Sequence, residues 1–190
     1  MVGRGRSQEP PPEPVWPLAG VVHQLVRRDV GPVDEGAPLE HRQEQLKRAA
    51  RMADEAVVAM AQSARTELIV SAVVYGGAPT AAVRDRAGVT RQWVNKVVKD
   101  AVGVGTKDPE FRRLAAAKRP ELEIPEAFDL LADAAEAVRF LQARAEAARP
   151  LRDRLIALMP EDDVTTATLV GWTWLERAMV DRIRARGREA

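Results

Sequence analysis

A chain of 190 residues is long enough to bury one medium core or two small ones, and 46% apolar with only 4% aromatic content favours close-packed Ala, Val and Leu helices. It has no cysteine and only His23 and His41, which leaves out disulfides, thiolate metal sites, cysteine nucleophiles and histidine-rich metal centres. The net charge of +1 is nearly neutral, so attraction to a polyanion has to come from a local patch.

Met1–Pro14 is proline-rich and polar, with no apolar signal-peptide core. It reads as a solvated arm, with Arg4 and Arg6 able to touch a phosphate backbone or minor groove. No apolar run approaches the roughly 18–20 residues of a membrane span. A cytoplasmic protein without a membrane partner is therefore expected. Leu18–Arg28 can form a short amphipathic helix through Leu18, Val21, Val22, Leu25 and Val26, before the glycines and prolines of Asp29–Pro38 break it. From Leu39 the stripe Leu46, Ala49, Ala50, Ala53, Ala56, Val57, Met60 and Ala64 predicts one long helix to about Ala64, extendable through Leu68, Ile69, Ala72 and Val73 to Tyr75. Gly76 and Gly77 end it.

Pro79–Arg86 and Thr90–Val102 form the next two helices, around a turn at Ala87–Val89. Gly103–Pro109 reads as a linker, and Phe111–Lys118 as a short helix stopped by Pro120. Pro125–Ala148 is a second long helix, with Phe128, Leu131, Ala135, Val138 and Phe140 or Leu141 inward. Pro150–Met159, Thr165–Trp172 and Trp174–Arg186 complete an all-α chain without period-two segments. The expected organisation is a flexible arm with a short helix over 1–36, a first helical domain over 37–102 and a second small helical domain over 108–187.

The stretch from Pro79 to Val98 carries the functional signal. Val83 and Ala87 anchor the first helix, Gly88 supplies a positive-φ turn, Val89 plugs the angle between the helices and Thr90 caps the second. Val94, Val97 and Val98 pack that second helix back. Thr90, Arg91, Gln92, Asn95, Lys96 and Lys99 are left outward, donor-rich side chains suited to guanine and adenine edges. Arg84 and Arg86 are placed for phosphates, although Arg84 stands where such helices usually carry a small residue. Its stem can lie along the apolar surface. Trp93 reads as covering the core edge. Pro79–Arg119 holds ten basic and four acidic residues (10 − 4 = +6), whereas Pro120–Pro150 holds three and seven (3 − 7 = −4).

These residues resemble the helix-turn-helix of bacterial and phage DNA-binding regulators, and the Ala-, Arg- and Val-rich composition is similar to that of high-GC bacteria and their phages. The resemblance implies a cytoplasmic, nucleoid-associated protein that reads double-stranded DNA through the major groove at about 90–102. A phage- or plasmid-type repressor is the default role. The alternative is an all-helical adaptor or assembly protein using the long helices Leu39–Ala64 and Pro125–Ala148.

Val164–Arg186 can be laid on the first motif without gaps, placing Thr166 on Thr80, Leu169 on Val83, Leu175 on Val89, Arg177 on Arg91, Val180 on Val94, Arg182 on Lys96 and Ile183 on Val97. Leu155, Ile156 and Leu158 precede it much as Leu68, Ile69 and Ala72 precede the first. Trp174 then falls where the turn glycine should be, with Gly171 as an alternative turn. This stretch is either a packing-only copy or a second DNA contact through Arg177, Arg182, Arg184 and Arg186. The partner is accordingly DNA bound by a homodimer, or by a monomer with two reading modules. Glu161, Asp162 and Asp163, the only compact acidic cluster, precede a helix start and read as capping. With no glycine-rich phosphate loop, an enzyme, a cofactor and a metal site are not expected.

Overall fold

The computed structural model describes residues 18–189, so the arm expected over Met1–Pro14 lies outside the described residues. The chain is all-α, with no strand among the described residues. Its elements are α1 (Ala19–Val30), α2 (Leu39–Met52), α3 (Glu55–Val74), α4 (Thr80–Ala87), α5 (Arg91–Val102), α6 (Phe111–Lys118), a 3-10 turn (Arg119–Glu121), α7 (Ala127–Ala157), α8 (Thr166–Thr173) and α9 (Arg177–Glu189).

Two boundaries differ from the sequence expectation. The helix from Leu39 does not run through to Ala64, because Asp54 leaves helical geometry and its carboxylate accepts the Ala56 amide at 2.9 Å, capping α3. Conversely, α7 continues through Pro150 instead of splitting there. An interior proline costs about 3 kcal/mol. Leu155 and Ile156 beyond it are fully buried, and each contributes roughly 1.5–3 kcal/mol by leaving water. With Ala147 and Ala148 buried in the same core on the other side of Pro150, packing outweighs the lost backbone bond.

The side chains form two hydrophobic cores, and these cut across the division expected near 103–107. One gathers Val22, Val26 and Val30 of α1, Leu46 and Ala49 of α2, Leu155 and Ile156 of α7, Leu169 of α8, and Val180 and Ile183 of α9. The other gathers Ile69 and Val70 of α3, Val83 and Ala87 of α4, Val94 and Val98 of α5, Ala115 of α6, and Ala127 and Leu131 of α7. The first helices of the chain thus complete the core of its last ones, while the start of α7 completes the core around α4 and α5.

A shift of 86 residues, the step from Thr80 to Thr166, relates these halves. It carries α4 onto α8 and the start of α5 onto that of α9. It also carries Leu39–Met52 onto 125–138, which contains the first part of α7, and Ile69, Val70 and Val73 onto the likewise buried Leu155, Ile156 and Met159. Each half therefore supplies a leading helix to the other half's core. Polar ties follow the same exchange. Arg42 of α2 donates to the Leu158 carbonyl, and Ser71 of α3 accepts the Ile124 amide at 3.1 Å just before α7. Within the first half, buried Gln45 donates to the carbonyls of Val30 and Pro32, closing α1 onto α2.

The helical stretch Leu39–Val74 contains an 18-residue window of mean hydropathy 1.4, which meets the length and composition of a membrane span, contrary to the expectation that no such run exists. Buried core helices pass the same test, and Ile69–Val74 lies inside the second core.

Candidate nucleic-acid interface

α4 and α5 are joined by the three residues Gly88, Val89 and Thr90. Gly88 adopts φ 62° and ψ 40°, the left-handed conformation that lets the chain reverse within one residue, and both its amide and that of Val89 point at the Arg84 carbonyl. Thr90 is extended, and its hydroxyl accepts the Trp93 amide at 3.2 Å, capping α5. Val83, Ala87, Val94 and Val98 are completely buried, so one face of each helix is fixed against the core.

The opposite face of α5 is solvated. Thr90, Arg91, Gln92, Lys96 and Lys99 are exposed, whereas Asn95 is half-buried and its amide oxygen accepts the Thr106 hydroxyl at 3.3 Å. Gln92 and Lys96 are four residues apart and so lie side by side. On α4, Arg84 is half-buried, with its Nε donating to Asp85 at 2.6 Å. Arg86 reaches across to α7, 3.5 Å from the Asp129 carboxylate and 4.8 Å above the Phe128 ring. Both arginines expected to meet phosphates are thus engaged by neighbouring groups, while the α5 donors project outward.

Beside α5 the structure gathers two cations that the sequence argument did not single out. An open cleft of about 750 Å³ is lined by Thr80, Arg91, Thr106, Lys107, Phe111 and Arg112, among others. Lys107 and Arg112 follow α5 in the basic stretch Pro79–Arg119. Summed charge flagged that stretch, but only the fold of the 103–110 loop brings these two to a cleft that Arg91 also lines.

Two further arginines brace the pair from behind. The Arg65 guanidinium of α3 lies 5.5 Å from the ring of Trp93, which packs half-buried on the core edge. Burial, and secondarily repulsion from Arg139, holds Arg65 below the ordinary arginine range. Arg139 of α7 covers Gly88 so closely that a Cβ there would strike its guanidinium.

α8 and α9 repeat this geometry. Trp174, at the position of Gly88, takes φ 55° and ψ 18°, and its amide donates to the Val170 carbonyl at 2.9 Å. Gly171 lies inside α8 and does not serve as the turn. Thr165 caps α8 by accepting the Thr168 amide at 3.2 Å. Leu169 and Val180 are fully buried, as are their counterparts Val83 and Val94.

The four arginines singled out on α9 do not share one face. Arg177, Arg182 and Arg186 are exposed, Arg177 lying 3.9 Å from Asp181. Arg184 is buried, with its guanidinium donating to the Val164 carbonyl and to the Thr166 hydroxyl. It occupies the position of Val98 and ties the 158–165 loop to α9, so it is not among the exposed cations. Residues spaced by two on a helix lie about 200° apart, which turns Arg184 inward between Arg182 and Arg186.

No protein-family model, curated protein or solved structure matches the chain. Among the described residues no group of acidic, histidine or cysteine side chains is arranged to hold a metal ion.

Proposed function

We propose that α4 and α5 form a helix-turn-helix that reads double-stranded DNA and that the protein is a sequence-specific transcriptional regulator, with repression as its default role. The observation that carries this reading is the two-sidedness of α5. Val94 and Val98 are fully buried on one side, and Arg91, Gln92 and Lys96 stand exposed in the first turns of the other. A helix held in this way presents its N-terminal donors to base edges in a groove wide enough to admit it. Lys107 and Arg112 line the same cleft as Arg91 and offer charge for a phosphate strand.

Selection of bound sequences from a random duplex pool at about 150 mM salt, where non-specific phosphate binding is weak, tests the reading. An enriched motif that loses its preference at one base pair in Arg91→Ala and at another in Gln92→Ala, with helical content unchanged, is the expected result. A bidentate base contact contributes about 1–3 kcal/mol of discrimination, so each variant should relax selectivity roughly 5- to 150-fold at its base pair. Absence of any motif, or a motif that both variants retain, would reject it.

A protein adaptor is the second reading, favoured by large apolar side chains on the long helices. Met60 is 72% exposed, and Leu130 and Phe140 are partly open to solvent.

A further inference from the structure

We infer that the chain assembles head to tail, the basic face of α9 around Met179, Arg182 and Arg186 docking on the acidic face of α7 around Leu130, Asp133 and Glu136 of a second copy. The inference goes beyond the reading of α4 and α5 and does not depend on it.

The charges of α9 are divided between two flanks. On one, Arg177 lies against Asp181 and Arg188 against Glu161, so that flank is paired within the chain. On the other, Met179, Arg182 and Arg186 follow one another at spacings of three and four and so form one stripe. All three are exposed, and neither Arg182 nor Arg186 has an ion-pair partner among the described residues. Trp174, 61% exposed, stands in the turn just ahead of the stripe. Tryptophan, methionine and arginine are the side chains enriched in protein interfaces. A phosphate strand laid here would meet the exposed carboxylates of Glu176 and Asp181 and leave the apolar groups without a partner.

The first half of α7 presents the complement. Ala127–Phe140 carries three carboxylates against the single cation Arg139. Asp129 is engaged by Arg86 at 3.5 Å, whereas Asp133 and Glu136 are exposed and have no ion-pair partner among the described residues. Leu130, Asp133 and Ala137 repeat the spacing of three and four, Phe140 comes next on the same side, and all four are exposed. Setting Leu130 opposite Met179 therefore places Asp133 opposite Arg182 and Glu136 beside Arg186. In the reverse direction Phe140 meets Met179 and Asp133 meets Arg186. Either way an apolar side chain meets an apolar one, and each free arginine meets a free carboxylate.

The two faces belong to different cores, Leu131 beside the acidic stripe to one, and Val180 and Ile183 beside the basic stripe to the other. No ion pair joins them within one chain among the described residues. Because the faces are unlike, a pair of copies leaves one of each kind open, and further copies can add. One helix stripe on another lies at the small end of protein interfaces, so the contact is weak in dilute solution and gains from copies held side by side.

Sedimentation of the chain without DNA, at low salt from about 10 µM to about 1 mM, tests this. The average mass of the parent should rise with concentration and fall back toward one chain at about 1 M salt, where charges are screened within about 3 Å. The double variants Asp133→Lys, Glu136→Lys and Arg182→Ala, Arg186→Ala should each stay single. Their equimolar mixture should associate and stop at two chains, since only one intact face of each kind remains. The four altered side chains are exposed, and unchanged circular dichroism verifies that each variant is folded. A parent that stays single at every concentration overturns the inference and leaves the two faces to DNA or another protein. Variants that associate as the parent does overturn it in favour of a different surface, and a mixture that stays single overturns the head-to-tail pairing.

Discussion

The α4–α5 and α8–α9 pairs share a backbone and differ in what they present. Both reverse through a left-handed residue and bury an aliphatic side chain from each helix. The first does so with Gly88 and exposes Arg91, Gln92 and Lys96, whereas the second does so with Trp174 and exposes Arg177, Ala178 and Arg182. The comparison separates two properties that are easily merged. The buried positions and the turn define the shape, and the outward positions define the chemistry. One molecule carries two settings of the second on nearly the same version of the first.

The largest test of this comparison concerns the exchanged helices. Leu46→Ala and Leu131→Ala each empty a fully buried site and should cost about 2–5 kcal/mol in chemical denaturation. Native-state hydrogen exchange should show where. Leu46→Ala is expected to lower protection in α8 and α9, and Leu131→Ala in α4 and α5. Loss confined to each residue's own half of the chain would break the exchange described above.

Next come the turns, where opposite signs are expected. Gly88→Ala forces a Cβ into a left-handed residue and against Arg139, and should destabilise by at least about 1–2 kcal/mol. Trp174→Gly relieves the same strain and should raise stability by up to roughly 1 kcal/mol, less the entropy that glycine adds to the unfolded chain. Equal effects in thermal melts would show that the two turns are not equivalent.

Smaller again is the capping pair. Thr90→Ala and Thr165→Ala should each cost about 1 kcal/mol, read from urea midpoints.

The smallest contrast lies at Tyr75 and its counterpart Glu161. The Tyr75 phenol donates to Glu123 at 3.0 Å, and this bond, with the carboxylate charge, raises the tyrosine above its ordinary range. A group whose folded pKa is raised contributes stability below its unfolded pKa and loses it as pH climbs through the folded value. The contribution therefore vanishes only at strongly alkaline pH. Glu123→Gln should move the tyrosinate absorbance titration to lower pH. Glu161 pairs with exposed Arg188 at 2.8 Å, and removing that arginine should change stability by less than about 1 kcal/mol.

The sequence displays the first pair almost completely, because its glycine, its threonine cap and its valine spacing all indicate the same turn. Much of the second pair is legible as well, though Trp174 reads as an obstacle. Leu169, Leu175 and Val180 hold that turn in place by packing, and their joint effect exceeds the preference of one residue. Arg184 is illegible as a core residue on composition, since arginine is ordinarily solvated; only its helical phase next to Val180 and Ile183 betrays it. The break at Asp54 is hidden by an alanine stripe that continues on both sides. The exchange of helices is not written in periodicity at all. A stripe such as Leu131, Ala135 and Val138 tells which face is buried and nothing about which residues cover it. Lys107 and Arg112 are visible as charge, but the cleft they share with Arg91 depends on a loop.

The interleaving also sets an order on how the protein can be made. As the chain leaves the ribosome, α1 and α2 emerge well before α7, α8 and α9, and their core lacks Leu155, Leu169 and Ile183 until those helices have been translated. α3, α4 and α5 wait in turn for Leu131. Neither half can mature on its own during synthesis. Val22, Val26 and Leu46 remain uncovered until then, so the nascent protein depends on rapid closure once α9 is free.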